Sequence, residues 1–140
     1  MKNIRKIFRA GGWILIMGGI AMGGRAQTDG EALWAYTTLS TAAGGGIVSS
    51  PAVAADGTIY FGIEIGSESS LNPTGRVLAL NPDGSEKWIF ETSDWVDATP
   101  LIGPDGTVYV GCWDGIFYAL DGETGTLKWS IDTGGFIVSS

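Results

Sequence analysis

Short apolar runs and tight polar turns alternate along most of the chain. In one stretch the runs are residues 98–102, 107–112, 116–120 and 126–131, rich in β-branched and aromatic side chains. Pro104-Asp105-Gly106, Asp114-Gly115 and Asp121-Gly122-Glu123-Thr124-Gly125 separate them. Asp-Gly between β-rich runs predicts a hairpin, because tight hairpin turns need positive φ and glycine adopts it without steric cost. The preceding stretch reads the same way, with runs at 51–55, 58–65, 76–80 and 86–91. No segment after residue 27 sustains a helical period with caps. The pattern therefore predicts an all-β protein with four short strands in each of two groups.

The two groups are copies. Pro51 and Pro100, the Asp-Gly pairs at 56–57 and 105–106, and Tyr60 and Tyr109 all recur at an offset of 49 residues. Trp88 and Trp129 recur at 41. The difference falls in residues 66–75, a polar insertion between the second and third strands of the first copy, read as a surface loop. Further copies flank the pair. Trp34 closes the last strand of a preceding unit, and Ile137-Val138-Ser139-Ser140 repeats Ile47-Val48-Ser49-Ser50. The blades are expected at about 47–92 and 96–133. The chain is expected to be an N-terminal piece of a longer protein that carries the remaining blades.

A fixed period of this size with four strands per copy suggests a β-propeller. The motif residues narrow the family. Ala119, Asp121, Thr124, Gly125 and Trp129 fit the tryptophan-docking pattern A-x-D-x-x-T-G-x-x-x-W, and the segments 49–60 and 111–120 fit the blocks that precede it. The chain thus resembles the PQQ-type, quinoprotein-like propeller repeat family over nearly all of residues 32–140. The first copy departs from the pattern: it is one residue short between Leu80 and Trp88 and has Pro82-Asp83-Gly84 at the turn. The resemblance implies about two four-stranded antiparallel blades plus partial flanking blades. It also implies structural docking roles for Ala119, Asp121, Gly125 and Trp129, and for Ala79, Trp88 and Trp34. In that reading Gly125 permits the turn, Asp121 accepts turn amide hydrogens, and Trp34, Trp88 and Trp129 form a girdle between blades.

Composition limits the chemistry. There is no histidine, which removes Ser-His-Asp and Cys-His catalysis and His-ligated zinc. The single cysteine, Cys112, has no partner for a disulfide within the chain and reads as a small apolar strand residue. Quinoprotein dehydrogenases commonly carry two adjacent cysteines, a bound calcium and an aspartate base. Here Trp113 follows Cys112, and no residue is assigned to catalysis, to metal, or to PQQ. Trp95, with Asp94 and Asp97 beside it, falls outside the docking position and is the candidate ligand-facing group.

Charge and targeting complete the expectations. All fifteen acidic residues lie from Asp29 onward, where only Arg76, Lys87 and Lys128 oppose them. So negative a surface repels phosphate backbones and argues against nucleic acid as a partner. Residues 1–9 are basic, 10–22 are apolar and Gly-rich, and Gly24-Arg25-Ala26 places small residues around a cut after Ala26. These are the three parts of a secretory signal, and the apolar run of 13 residues is shorter than the roughly 18 a spanning helix needs. The mature chain from residue 27 is expected to be periplasmic or secreted, without a stable membrane span, and to bind protein partners as a scaffold. The alternatives implied by the resemblance are the N-terminal part of a PQQ-dependent alcohol or sugar dehydrogenase and an outer-membrane assembly-factor-like propeller. PQQ and calcium enter only with the dehydrogenase.

Overall fold

The computed structural model describes residues 14–16, 32–37, 46–66 and 73–138, the first of these by backbone alone. Every regular element among them is a strand. These are β1 (Ile14–Ile16), β2 (Ala35–Thr37), β3 (Ala52–Val53), β4 (Ile59–Ile65), β5 (Thr74–Leu80), β6 (Glu86–Thr92), β7 (Leu101–Ile102), β8 (Thr107–Gly111), β9 (Ile116–Asp121) and β10 (Leu127–Asp132). β3 to β6 form one four-stranded antiparallel sheet and β7 to β10 a second, each with sequence neighbours paired in order. Each sheet is thus a meander, the form of a propeller blade, and β-propeller is the fold.

The innermost strands are shorter than the apolar runs suggest. β3 and β7 keep two ladder residues each, with Pro51 and Pro100 outside the pairing. Proline has no N–H to give a ladder, so it stands at a strand's edge. β5 begins earlier than expected, at Thr74, because the β4–β5 ladder extends to Ile65 opposite Thr74. Part of the insertion is therefore strand, while residues 67–72 lie outside the described residues.

The hairpin turns follow one chemical rule. Gly57, Gly84, Gly106 and Gly115 all have positive φ. The aspartate just before each accepts the N–H two residues ahead: Asp56 from Thr58, Asp83 from Ser85, Asp105 from Thr107 and Asp114 from Ile116, at 2.9–3.1 Å. A short carboxylate in such a turn satisfies amides that no strand can reach.

Two apolar clusters fill the space on either side of the first blade. Ile59, Phe61, Ile63, Leu78 and Leu80 pack beneath Trp34, Tyr36 and Ile47. On the other side Tyr60, Val77, Ala79 and Trp88 meet Val108, Val110, Cys112, Tyr118 and Leu120 of the second blade. Strand alternation sends consecutive residues of β4 to opposite faces, so one strand feeds both clusters. β1 pairs antiparallel with β2, Leu15 opposite Tyr36. Residues 1–13 and 17–31, with the expected cut after Ala26, lie outside the described residues. No helix among the described residues is long and apolar enough to cross a membrane.

Candidate functional site

The singled-out motif residues converge on the seam between the blades. In the first blade one row of directly opposed residues runs straight across the sheet, Ala52, Tyr60, Ala79, Trp88. Ala79 is small, so the rings of Tyr60 and Trp88 meet over it at 5.6 Å between centroids. Trp88 then lies on the β9–β10 turn of the second blade. Gly125, at φ 72°, sits under the indole, and a Cβ there would come within 2.6 Å of the ring. The Gly122 carbonyl accepts two hydrogen bonds, from Trp88 Nε1 at 2.9 Å and from Tyr60 Oη at 3.0 Å. Asp121 holds this turn by accepting from the amide and hydroxyl of Thr124, which lower its pKa most, and from the amide of Glu123. Trp34 repeats the arrangement one step earlier: its Nε1 donates to Pro82 O at 3.0 Å, and its ring covers Gly84.

A β-bulge adds a charged lock. In β6 the ladder pairs Leu80 with Glu86 and then Ala79 with Trp88, leaving Lys87 as the extra residue. In β10 it pairs Leu120 with Leu127 and Ala119 with Trp129, leaving Lys128. A bulge re-aims the extra side chain, here to the same side as the tryptophan. Lys87 Nζ reaches Glu123 of the next blade at 2.6 Å and Asp56 of its own at 3.9 Å. The Glu123 bond raises the Lys87 pKa. Lys128 reaches its own Asp105 and Thr107, at 3.4 and 2.6 Å. The Thr107 hydroxyl and amide hold the Asp105 carboxyl down at about 2.

The linker between blades has a seat of its own. Val96 presses on Gly62, where any Cβ would collide with it, and Ile137 presses on Gly111 in the same way. Sequence reasoning missed both pairs. Gly62 and Gly111 recur at 49 residues and Val96 and Ile137 at 41, the offsets of the repeat itself.

At the opposite end of the seam stand Asp94, Trp95 and Asp97. The structure does not gather them into an open site. Trp95 is 6% exposed, edge-on to Trp113 at 5.4 Å, and its Nε1 donates to Ile65 O. Asp94 Oδ1 accepts the Trp95 amide. Asp97 Oδ1 is buried without a hydrogen-bond partner, as are Thr99 Oγ1 and Trp113 Nε1. Cys112 is buried nearby, its thiol 3.3 Å from the carbonyls of Asp94 and Trp95, and burial pushes its pKa up to about 12.

Ala79 and Ala119 are fully buried, but the last docking residue differs from its counterpart. Trp129 is 42% exposed where Trp88 is 8%. A cleft of about 370 Å³ opens along the seam on the turn side, with Asp56, Asp105, Asp121 and Glu123 in its wall.

Comparison with known proteins agrees with this architecture. The family model described as outer membrane protein assembly factor BamB matches residues 22–139. The uncharacterized protein YxaL of Bacillus subtilis (strain 168) is 39% identical over 44 residues, 31% of this chain and 11% of that protein. Similar solved structures include a europium-containing methanol dehydrogenase, with a TM-score of 0.54 and 18% identity, covering 65% of this chain and 21% of the enzyme. They also include BamB from Moraxella catarrhalis, with a TM-score of 0.38 and 19% identity, covering 73% of this chain and 40% of that one. This chain spans a minor part of each of these proteins. Its two repeat-bearing blades and the match over residues 22–139 make it a member of the PQQ-type propeller repeat family described by the BamB model.

Proposed function

We propose that this chain is part of an exported propeller that works as a rigid binding scaffold, without redox chemistry of its own. The observation that carries this reading is where the motif residues go. Asp121, Gly125, Trp88 and Trp34 are all engaged in turns and blade contacts. Side chains engaged in this way fix a framework and leave recognition to loops and edges.

The ionisable groups support the same reading. A general base at neutral pH needs a carboxylate pKa raised toward 7 or a thiol lowered toward it. Here the shifts run the other way. Hydrogen bonds lower Asp56, Asp83, Asp105 and Asp121, and burial raises Cys112. Nor do the described residues suit PQQ with calcium. Cys112 lies in the core against backbone carbonyls, and its neighbour Trp113 packs on Trp95. Asp97 and Thr99 offer the orphaned oxygens of this region, whereas calcium takes about six to eight.

Export rests on the basic, apolar and small-residue segments of the leader. The family's named member is an outer-membrane assembly factor, which makes envelope proteins the partner class to test first. The test uses the protein purified from its producing cells, incubated with PQQ and calcium and assayed for alcohol- and sugar-dependent dye reduction. The scaffold reading expects no PQQ-dependent reduction above the apo baseline. A saturable, PQQ-dependent rate would replace it with the dehydrogenase reading.

A further inference from the structure

One Asp-Gly pair is guarded differently from the others. Asp-Gly is chemically labile, because glycine has no side chain to shield its nitrogen from the aspartate Cγ. Attack by that nitrogen closes a cyclic imide, and the reaction needs a free glycine N–H and a carboxyl group free to swing. Five such pairs lie among the described residues. In four of them the glycine amide is held inside its own turn: Gly57 on Ala54 O, Gly84 on Asn81 O, Gly106 on Gly103 O and Gly115 on Cys112 O, at 2.8–3.2 Å. Gly122 instead donates across to the β7–β8 turn, to Gly106 O at 3.1 Å. The two turns touch so closely that a Cβ on Gly122 would come within 2.3 Å of that oxygen.

The first blade keeps Gly122 in place. Trp88 Nε1 and Tyr60 Oη both donate to the Gly122 carbonyl. Asp121 and Gly122 also line the cleft along the seam, so water reaches them. We propose that Asp121–Gly122 is a modification site gated by the seam, where undocking of the first blade releases Gly122 and lets isoaspartate form. The Gly122 nitrogen bonds Asp121 Cγ as a Cγ–O bond breaks, and the amide proton leaves with the carboxyl oxygen and its proton as water. A second water then opens the imide at its main-chain carbonyl, which leaves isoaspartate, and no electron is transferred overall. Isoaspartate routes the backbone through the side chain and adds a methylene to it. The carboxylate that accepts from the Glu123 and Thr124 amides is thereby displaced, and the turn that seats Trp88 loses its shape. An opening of the seam is thus written into the chain as a lasting covalent change.

Ageing of the native protein at neutral pH tests the proposal, with peptide mapping by electron-transfer mass spectrometry, which tells isoaspartate from aspartate. Asp114–Gly115 is the internal control, because its turn is held by Cys112, Ile116 and Tyr118 of its own blade. Tyr60→Phe removes one hydrogen bond from the Gly122 carbonyl and keeps the ring, and Trp88→Ala removes the other. The expected result is isoaspartate at residue 121 forming several-fold faster in each variant than in wild type, with residue 114 unchanged. Unfolding would raise both sites together, so if Trp88→Ala unfolds the decision rests on Tyr60→Phe. An unchanged rate at residue 121 in Tyr60→Phe, or an equal rise at residue 114, overturns the proposal.

Discussion

Trp88 and Trp129 hold the same position in two copies of one motif, each opposite an alanine, each beside a tyrosine, each next to the lysine of a β-bulge. One is buried against a glycine turn and bonded through its indole N–H, and the other stands half in solvent. Nothing in the motif itself differs enough to cause this. Beyond its contacts within its own blade, the Trp88 copy gains its burial and its indole hydrogen bond from the blade that follows, so that part of its energetic value belongs to the seam. A repeat protein whose terms are nearest-neighbour interfaces behaves in this way.

The largest test of that contrast removes the indoles. In this chain Trp88→Ala should cost about 3–5 kcal/mol, as for other buried tryptophans. Trp129→Ala should cost under about 1.5 kcal/mol, the scale of its remaining aromatic pairings. Urea unfolding followed by circular dichroism measures both, and equal losses would break the comparison.

The glycines come next. Gly125→Ala should cost about 2–4 kcal/mol, combining left-handed backbone strain with overpacking against Trp88. Gly106 has a similar φ of 78°, but a Cβ there would meet nothing within 4 Å, so Gly106→Ala should cost about 1–2 kcal/mol from strain alone. Thermal melts of the two variants should keep that order.

A smaller contrast lies in the tyrosines. Tyr60 donates to Gly122 O in a buried setting, so Tyr60→Phe should lose about 1 kcal/mol. Tyr109→Phe should leave urea stability unchanged in this chain.

The smallest effect is electrostatic. Glu123→Gln removes the cross-seam partner of Lys87, and an exposed pair of this kind contributes about 0.2–1 kcal/mol. The pH dependence has a definite sign. The Lys87 pKa is raised by Glu123, so its contribution is complete below the unfolded value of 10.5 and fades as pH rises through the higher folded value. Asp105 behaves oppositely: its contribution is present above 3.8 and is lost as pH falls through about 2. The stability gap between wild type and Glu123→Gln should therefore close as pH rises through the Lys87 titration, while the loss of the Asp105 contribution in acid is common to both.

Much of the fold was legible because turn chemistry and strand alternation are local. Asp-Gly pairs placed the hairpins, and the 49-residue offset paired the copies. The seam was less legible, because its contacts join residues distant in sequence. Tyr60 bonding to a carbonyl 62 residues away, or Val96 seated on Gly62, has no local signature beyond recurrence of both partners. The lysine lock was hidden for another reason: a bulge shifts the register by one residue, and simple alternation puts Lys87 on the wrong face. Trp95 lies outside the docking pattern. Its burial against Trp113 depends on a turn of the other blade, which no reading of its own neighbourhood contains.

Hydroxyl-radical footprinting of this chain, read residue by residue by mass spectrometry, tests the central claim most directly, because it compares the two indoles in one unmodified molecule. The account predicts that Trp129 is oxidised several-fold faster than Trp88, in keeping with exposures of 42% and 8%. Equal rates, or a faster Trp88, would contradict it.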